Sequence, residues 1–271
     1  MKILRPKYPA ITIANIIGLA HEDVSEFTQA VSDIAPLFGG SWKMEDLPKF
    51  NAAAERLNLY VKTQIDARRR SPRDDFLTEF VERADKTSQL DPLEELTQIV
   101  TLIIGGSDTT RVASVIQTLL LLQHPEQFDM VKSDPSLISS AVVESLRFEP
   151  SVASVARVLT RDVELDGQFI PKGSVVSLSL MSAMRDESCY DKPDQFNIFR
   201  RQPRTHPVFG AGAHRCLGEA LARVELEESL RTLVLMLDDL TIVGDPPKIV
   251  RHSGLRHVGQ MHLRWSSMKA L

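Results

Sequence analysis

Cys216 closes a glycine-rich run, Phe209-Gly-Ala-Gly-Ala-His-Arg-Cys216-Leu-Gly218, in a chain of 271 residues whose only other cysteine is Cys189. After it come Leu217, Leu221, Val224, Leu230, Leu233 and Leu237, an apolar stripe at spacings of three, four and six that predicts a long buried helix. Cys216 then sits near a helix N-terminus, where unpaired amide N–H groups and the positive end of the helix dipole favour a thiolate. The glycines let backbone approach whatever the sulfur binds, and His214 and Arg215 add donors and positive charge. A dinucleotide fingerprint would need glycine where Arg215 stands. Zinc would need more ligands at regular spacing, and only His214 is near, with no second cysteine pair and no HExxH. A disulfide to Cys189 leaves the glycines and His214 without a role. A cysteine nucleophile served by a distant histidine stays open, although nothing points to a particular base.

A second constellation lies upstream. Asp91-Pro92-Leu-Glu-Glu95 reads as a helix start, and apolar residues from Ile99 to Leu122 carry the helix to His124-Pro125. Such a helix is about 45 Å long. In its middle stands Gly105-Gly-Ser-Asp-Thr-Thr110. Each glycine costs a helix about 1 kcal/mol relative to alanine, and an aspartate in an apolar stretch needs partners. Close helix packing over the glycines, with threonines bonding back to the preceding turn, would account for these residues without any chemistry. Glu144-Ser-Leu-Arg147 forms a third pattern on a helix from about Asp134-Pro135 to Pro150, with both charges on one face. On a surface that pair would be worth under about 1 kcal/mol.

Phe209 to Gly218 resembles the haem-ligand signature of cytochromes P450, F-x-x-G-x-(R/H)-x-C-x-G, and Cys216 to Glu225 continues as in soluble bacterial members. The resemblance implies that Cys216 is the proximal thiolate ligand of the iron of haem b. It implies that Phe209 shields the sulfur, that Gly210 and Gly212 shape the loop, and that His214 donates to a haem propionate. Gly105 to Thr110 resembles the family's distal motif (A/G)-G-x-(D/E)-T-T, where the helix bulges. By that likeness Gly105 and Gly106 make room over the iron, Thr109 hydrogen-bonds bound dioxygen and Asp108 relays protons. Glu144 and Arg147 resemble the E-x-x-R pair, and Phe196-Asn-Ile-Phe-Arg200 supplies Arg200 as a third, structural member. Arg157 falls where bacterial members place a second propionate arginine, and Met184-Arg185-Asp186 is similar to their N-R-D, with methionine in place of asparagine.

The implied fold is mainly α with small β-sheets (α+β), a cytochrome P450 domain over residues 1–271. Short apolar runs at 156–158, 163–167, 169–173 and 175–180 read as strands and hairpins, and 240–243 with 260–265 as a last strand pair on the substrate side. Pro9-Ala-Ile-Thr-Ile-Ala-Asn-Ile-Ile-Gly18 already resembles a motif lying before the family's F helix, so roughly the first third of the fold is expected to be absent. Self-association or a partner fragment would then cover the faces left open. The implied activity is insertion of one oxygen atom from O2 into a small apolar substrate, with electrons from a ferredoxin and ferredoxin reductase-type donor. The alternative is a truncated, non-catalytic remnant acting as a weak haem-binding or assembly module. Direct use of peroxide, or gas sensing, is a third reading, disfavoured by the Asp108–Thr109 pair.

Composition agrees with a cytoplasmic globular protein, at 43% hydrophobic and 25% charged residues with net charge −4. Two cysteines give no disulfide framework. No unbroken apolar run reaches the length of a membrane span and there is no signal-like segment. Arg68-Arg-Arg70, ending a helical stretch from about Glu45, reads as a solvated helix end, and the acidic balance speaks against nucleic acid as a partner.

Overall fold

The computed structural model describes residues 2–4, 6–39, 42–201, 207–250 and 254–269. They form two units with separate cores, one running up to Arg111 and the other combining the first strand with everything from Val112 onward. The first unit is built from α1 (Tyr8–Ile17), α2 (Val24–Ile34), α3 (Leu47–Arg70), α4 (Phe76–Thr87) and the first part of α5 (Pro92–Gln123). Apolar side chains at helical spacing, among them Ile13, Ile17, Phe27, Leu57, Val61, Leu77, Ile99 and Ile103, meet in its core. The start expected at Asp91 is a capping box. Its carboxylate accepts from the N–H groups of Leu93 and Glu94 at 2.8 Å, and Glu94 accepts from the Asp91 N–H at 2.9 Å.

The arginine run at the end of α3 is only in part the solvated helix end that its charge suggested. Arg68 is buried, and its guanidinium donates to Asp75 at 2.8–2.9 Å, to Gln64 at 3.0 Å and to the carbonyl of Gly18. Asp75 is also the N-cap of α4, accepting from the Thr78 N–H at 2.8 Å. One ion pair thus ties together the ends of α1, α3 and α4. Arg69 bridges Asp85 at 2.7 Å and Glu95 at 2.8 Å, and like Arg70 it is exposed.

The second unit holds β1 (Lys2–Leu4), the rest of α5, α6 (Pro125–Ser133), α7 (Ile138–Phe148), a short α8 (Leu180–Ala183) and α9 (Glu219–Met236). Val112, Ile116 and Leu119 of α5 share a core with Val131, Ile138, Val142, Leu226, Leu230 and Val234. The remaining strands are β2 (Ser154–Val158), β3 (Val163–Leu165), β4 (Gln168–Ile170), β5 (Val175–Ser179), β6 (Leu237–Asp238), β7 (Thr241–Ile242), β8 (Ile249–Val250), β9 (His257–Val258), β10 (Met261–Arg264) and β11 (Ser267–Met268). All pairings are antiparallel. β2 pairs with β5, β3 with β4, β8 with β9 and β6 with β11, while β1, β10 and β7 form a three-stranded sheet in that order. The expected last strand pair is β7 with β10, Ile242 opposite Leu263. β1 joins it as a third strand, which three residues are too few to announce.

Two further expectations need correction. The buried face of α9 is Leu226, Leu230 and Val234, whereas Leu217 and Val224, counted in the buried stripe, are 88% and 58% exposed. Periodicity locates a stripe but not what covers it. α5 is also long and apolar enough to cross a membrane although no unbroken apolar run showed it, because glycine, serine and threonine interrupt the run without lowering its average much. More than half of its apolar window, 56%, is buried inside the fold, as in the core helix of a globular protein.

Burial raises the Asp75 carboxyl, but hydrogen bonds from Arg68 and Thr78 outweigh it and hold the group below the usual carboxylate range. Its contribution is therefore present above the unfolded value of about 3.9 and is lost as pH falls through the lower folded value. Urea unfolding of the chain is expected to weaken below about pH 4. Asp75→Asn should flatten that loss and cost about 3 kcal/mol at pH 7, because it leaves a buried guanidinium without its counter-charge.

Candidate functional site

Cys216 is exposed, and among the described residues its sulfur has no hydrogen-bond partner. The loop before it is closed by its own backbone. The Cys216 N–H donates to the Phe209 carbonyl at 2.8 Å, Arg215 N–H to Gly212 at 3.1 Å, and Gly210 N–H to Pro207 at 2.8 Å. Gly210 and Gly212 have φ of +73° and +70°, the left-handed region where other residues are strained. α9 begins at Glu219, three residues beyond the thiol, so Cys216 stands at the approach to the helix. Phe209 packs on the core while the Arg223 guanidinium lies 5.0 Å from its ring centroid. Glu219 takes up the positive charge nearby, pairing with Arg215 at 2.7 Å and Arg223 at 3.2 Å. Arg215 is thus compensated and adds little free charge, while His214 remains exposed at the end of a short turn.

Arg157 lies exposed on β2, and one of its nitrogens donates to the carbonyl of Ala156 at 2.8 Å. On α7, Glu144 and Arg147 are fully buried. Arg147 meets both carboxylate oxygens of Glu144 at 2.8 Å and donates to the carbonyls of Met184, Pro193 and Gln195 at 2.9–3.2 Å. Arg200 donates to the same carboxylate at 3.2 Å and to the carbonyls of Lys192 and Gln195, and the Asn197 N–H donates to it at 2.9 Å. The spacing alone allowed a weak surface bridge. Complete burial makes it a structural knot.

The glycine pair and Asp108 belong to the helical unit. α5 runs through them without a break. The two glycines have different surroundings: a Cβ on Gly106 would come within 2.8 Å of Ile13 in α1, whereas one on Gly105 would meet nothing within 4 Å. Gly106 therefore serves close helix packing and Gly105 faces open space. Thr109 donates to the Gly105 carbonyl at 2.7 Å, the back-bond expected of threonine in a helix, which leaves its oxygen able to accept. Asp108 is buried and held by Arg111, whose Nε lies 2.7 Å from Oδ1. The sequence reading missed Arg111, although it has the i,i+3 spacing that marked Glu144 and Arg147.

The family model for cytochrome P450 matches residues 12–255. The chain belongs to the cytochrome P450 family. It is 43% identical to the plant-inducible cytochrome P450-pinF1 of Rhizobium radiobacter over 95% of this chain and 61% of that one. The biotin biosynthesis cytochrome P450 of Bacillus subtilis is 34% identical over 86% of this chain and 58% of its own length. A crystal structure of a myxobacterial cytochrome P450 in complex with myristic acid superposes with a TM-score of 0.89 at 28% identity, covering 98% of this chain and 67% of that chain. The chain therefore spans about three fifths of the length of the curated relatives.

P450 proteins bind haem b through a cysteine thiolate. The thiol loop suits that group. Its sulfur is a soft donor open to solvent, the side chains beside it in sequence and on the next turns, Leu217 and Val224, are apolar and uncovered, and His214 and Arg157 are exposed nitrogen donors for carboxylates. In the helical unit, Gly106→Ala should destabilise the chain by about 2 kcal/mol through overpacking against Ile13. Gly105→Ala should be neutral or stabilising by up to about 1 kcal/mol in the haem-free chain. Urea unfolding of the two variants checks this, and equal tolerance at both positions would show that α1 does not need the close approach.

Proposed function

We propose that this chain is the catalytic portion of a cytoplasmic haem-thiolate monooxygenase acting on a small apolar substrate. The observation that carries the reading is Cys216, an uncommitted thiol on a backbone-closed glycine loop inside a region that matches the P450 family. Cys216 would hold the haem iron through its sulfur, with Phe209 against the loop and Gly210 and Gly212 giving it its turns. His214 and Arg157 would hold the propionates. By the family likeness Gly105 would leave room for the haem, Thr109 would offer an oxygen that accepts a hydrogen bond because its own proton is committed to Gly105, and Asp108 would pass protons. Bound there, haem would supply the activation of O2, with two electrons from a ferredoxin-type donor and one oxygen atom passing to the substrate. Two solved neighbours, the myxobacterial P450 with myristic acid and another P450, 31% identical with a TM-score of 0.87, in complex with a hexadecenoic acid-ligated acyl carrier protein, carry apolar chains, in keeping with an apolar substrate.

A second reading draws on uncovered apolar surface. β2 and β5 form a two-stranded sheet in which the paired Val158 and Val175 are 64% and 71% exposed, and Leu165 and Phe169 on β3 and β4 are similarly open. Two-stranded ribbons are marginal alone. A chain that keeps such surfaces bare would hold haem weakly and serve as a binding or assembly module, self-associating or taking a partner fragment.

The haem-reconstituted protein, reduced and exposed to carbon monoxide, is expected to show the red-shifted Soret band of thiolate ligation, and Cys216→Ala should lose it. An unshifted spectrum in the unaltered chain would favour the module. Thr109→Ala should lower the yield of oxygenated product per electron pair with O2 while leaving peroxide-driven turnover little changed. Equal loss in both assays would argue against a role for Thr109 at the oxygen.

A further inference from the structure

We propose that Thr101, with Gln98 one turn before it, selects a substrate that carries one neutral hydrogen-bonding oxygen on its apolar body, an inference that rests on the monooxygenase reading. α5 turns Ile99 and Ile103 into the helical core, together with the buried Glu95 and Ser107. Its opposite side is open. Residues three and four apart share a helix face, so Gln98, Thr101, Gly105 and Thr109 form one line along α5, and the first three are exposed. On this line Gly105 faces open space and Thr109 bonds back to it.

The hydroxyls of α5 differ in what they have left to offer. Thr97 donates to the Leu93 carbonyl at 2.7 Å, Ser107 to Ile103 at 2.6 Å and Thr109 to Gly105 at 2.7 Å, the back-bonds usual for such residues in a helix. Thr101 makes no such bond, and among the described residues neither its hydroxyl nor the Gln98 amide has a partner. Both side chains can therefore donate and accept. At 1.5 Å per residue, Thr101 stands about 6 Å and Gln98 about 10 Å along the helix from Gly105. A substrate whose reacting carbon lies over Gly105 presents to them a group that far along its length. The charge of the neighbourhood decides which group. No lysine, arginine or histidine occurs from residue 94 to 109, or in α1, which packs against Gly106, whereas Glu94 lies on the open line itself. A carboxylate finds no counter-charge on these helices and meets an acid. A hydroxyl, carbonyl or ester oxygen needs only the hydroxyl and the amide.

Equilibrium dialysis of the haem-reconstituted chain against octane, octan-1-ol and octanoate is the test, with the carbon monoxide band recorded on the same preparation. The alcohol is expected to bind more tightly than the alkane and the acid. Thr101→Val should weaken the alcohol about fivefold, the size of one neutral hydrogen bond, and bring it toward the alkane, while Thr101→Ser keeps the preference. Thr97→Val, which removes a hydroxyl already committed to its own helix, should leave the preference as it is. No preference for the alcohol in the unaltered chain, absence of binding by all three included, would overturn the proposal. So would an equal effect of the Thr97 and Thr101 substitutions, and in either case the thiolate reading still stands on its band. Absence of that band in the unaltered chain would overturn both, since α5 would then face no reacting group.

Discussion

A carboxylate with no access to water, Glu144, lies between two guanidiniums and organises the second unit. Bringing three charges out of solvent costs several kcal/mol per ion, and the attraction between them repays this only when the remaining donors and acceptors are also met. They are met here. Arg147 and Arg200 spend their other N–H groups on carbonyls between Met184 and Gln195, and the Asn197 N–H completes the carboxylate. A segment with little regular structure, from the end of α8 to Arg200, is thereby fixed by side chains where a helix or sheet would have used its own backbone. Phe196 and Ile198 from the same segment enter the core beside α6 and α7. The knot thus couples α7, which carries Glu144, to the stretch of chain that precedes the thiol loop.

The helical unit uses the same device on a smaller scale. Arg68 and Asp75 join three helix ends, with the aspartate also capping α4, so one pair satisfies both a buried charge and an orphan N–H group. Asp108 and Arg111 repeat the i,i+3 spacing of Glu144 and Arg147, but the outcome differs with burial. In the knot both partners are sealed and no exchange with water remains. In α5 the acid is buried and the base is partly exposed. Spacing is common to both; access to solvent separates them.

Much of this protein could be read directly from its residues. The cap at Asp91, the stop at His124-Pro125, the strands from Ser154 to Ser179 and the loop from Phe209 to Cys216 all rest on local chemistry: capping side chains, proline, alternation and glycine turns. Such signals act over a few residues and survive without knowledge of the rest of the fold. The resemblance to the family rests on ten residues around Cys216, and the structure gives two of them, Gly210 and Gly212, left-handed backbone.

What tertiary structure alone decided was the environment of charges and stripes. Arg68 looked like solvated charge and is buried, because the residues that satisfy it, Asp75 and Gly18, are 7 and 50 positions away. Leu217 and Val224 looked buried and are bare, since a hydrophobic period says which side chains share a face but not what lies against it. Gly105 and Gly106 are indistinguishable as letters, and only the position of Ile13 in α1 gives one to packing and leaves the other open. The sequence determined which groups are present and in what local order. Burial, which sets the strength of every electrostatic interaction among them, arises from contacts distant in the chain and was settled only when the chain folded.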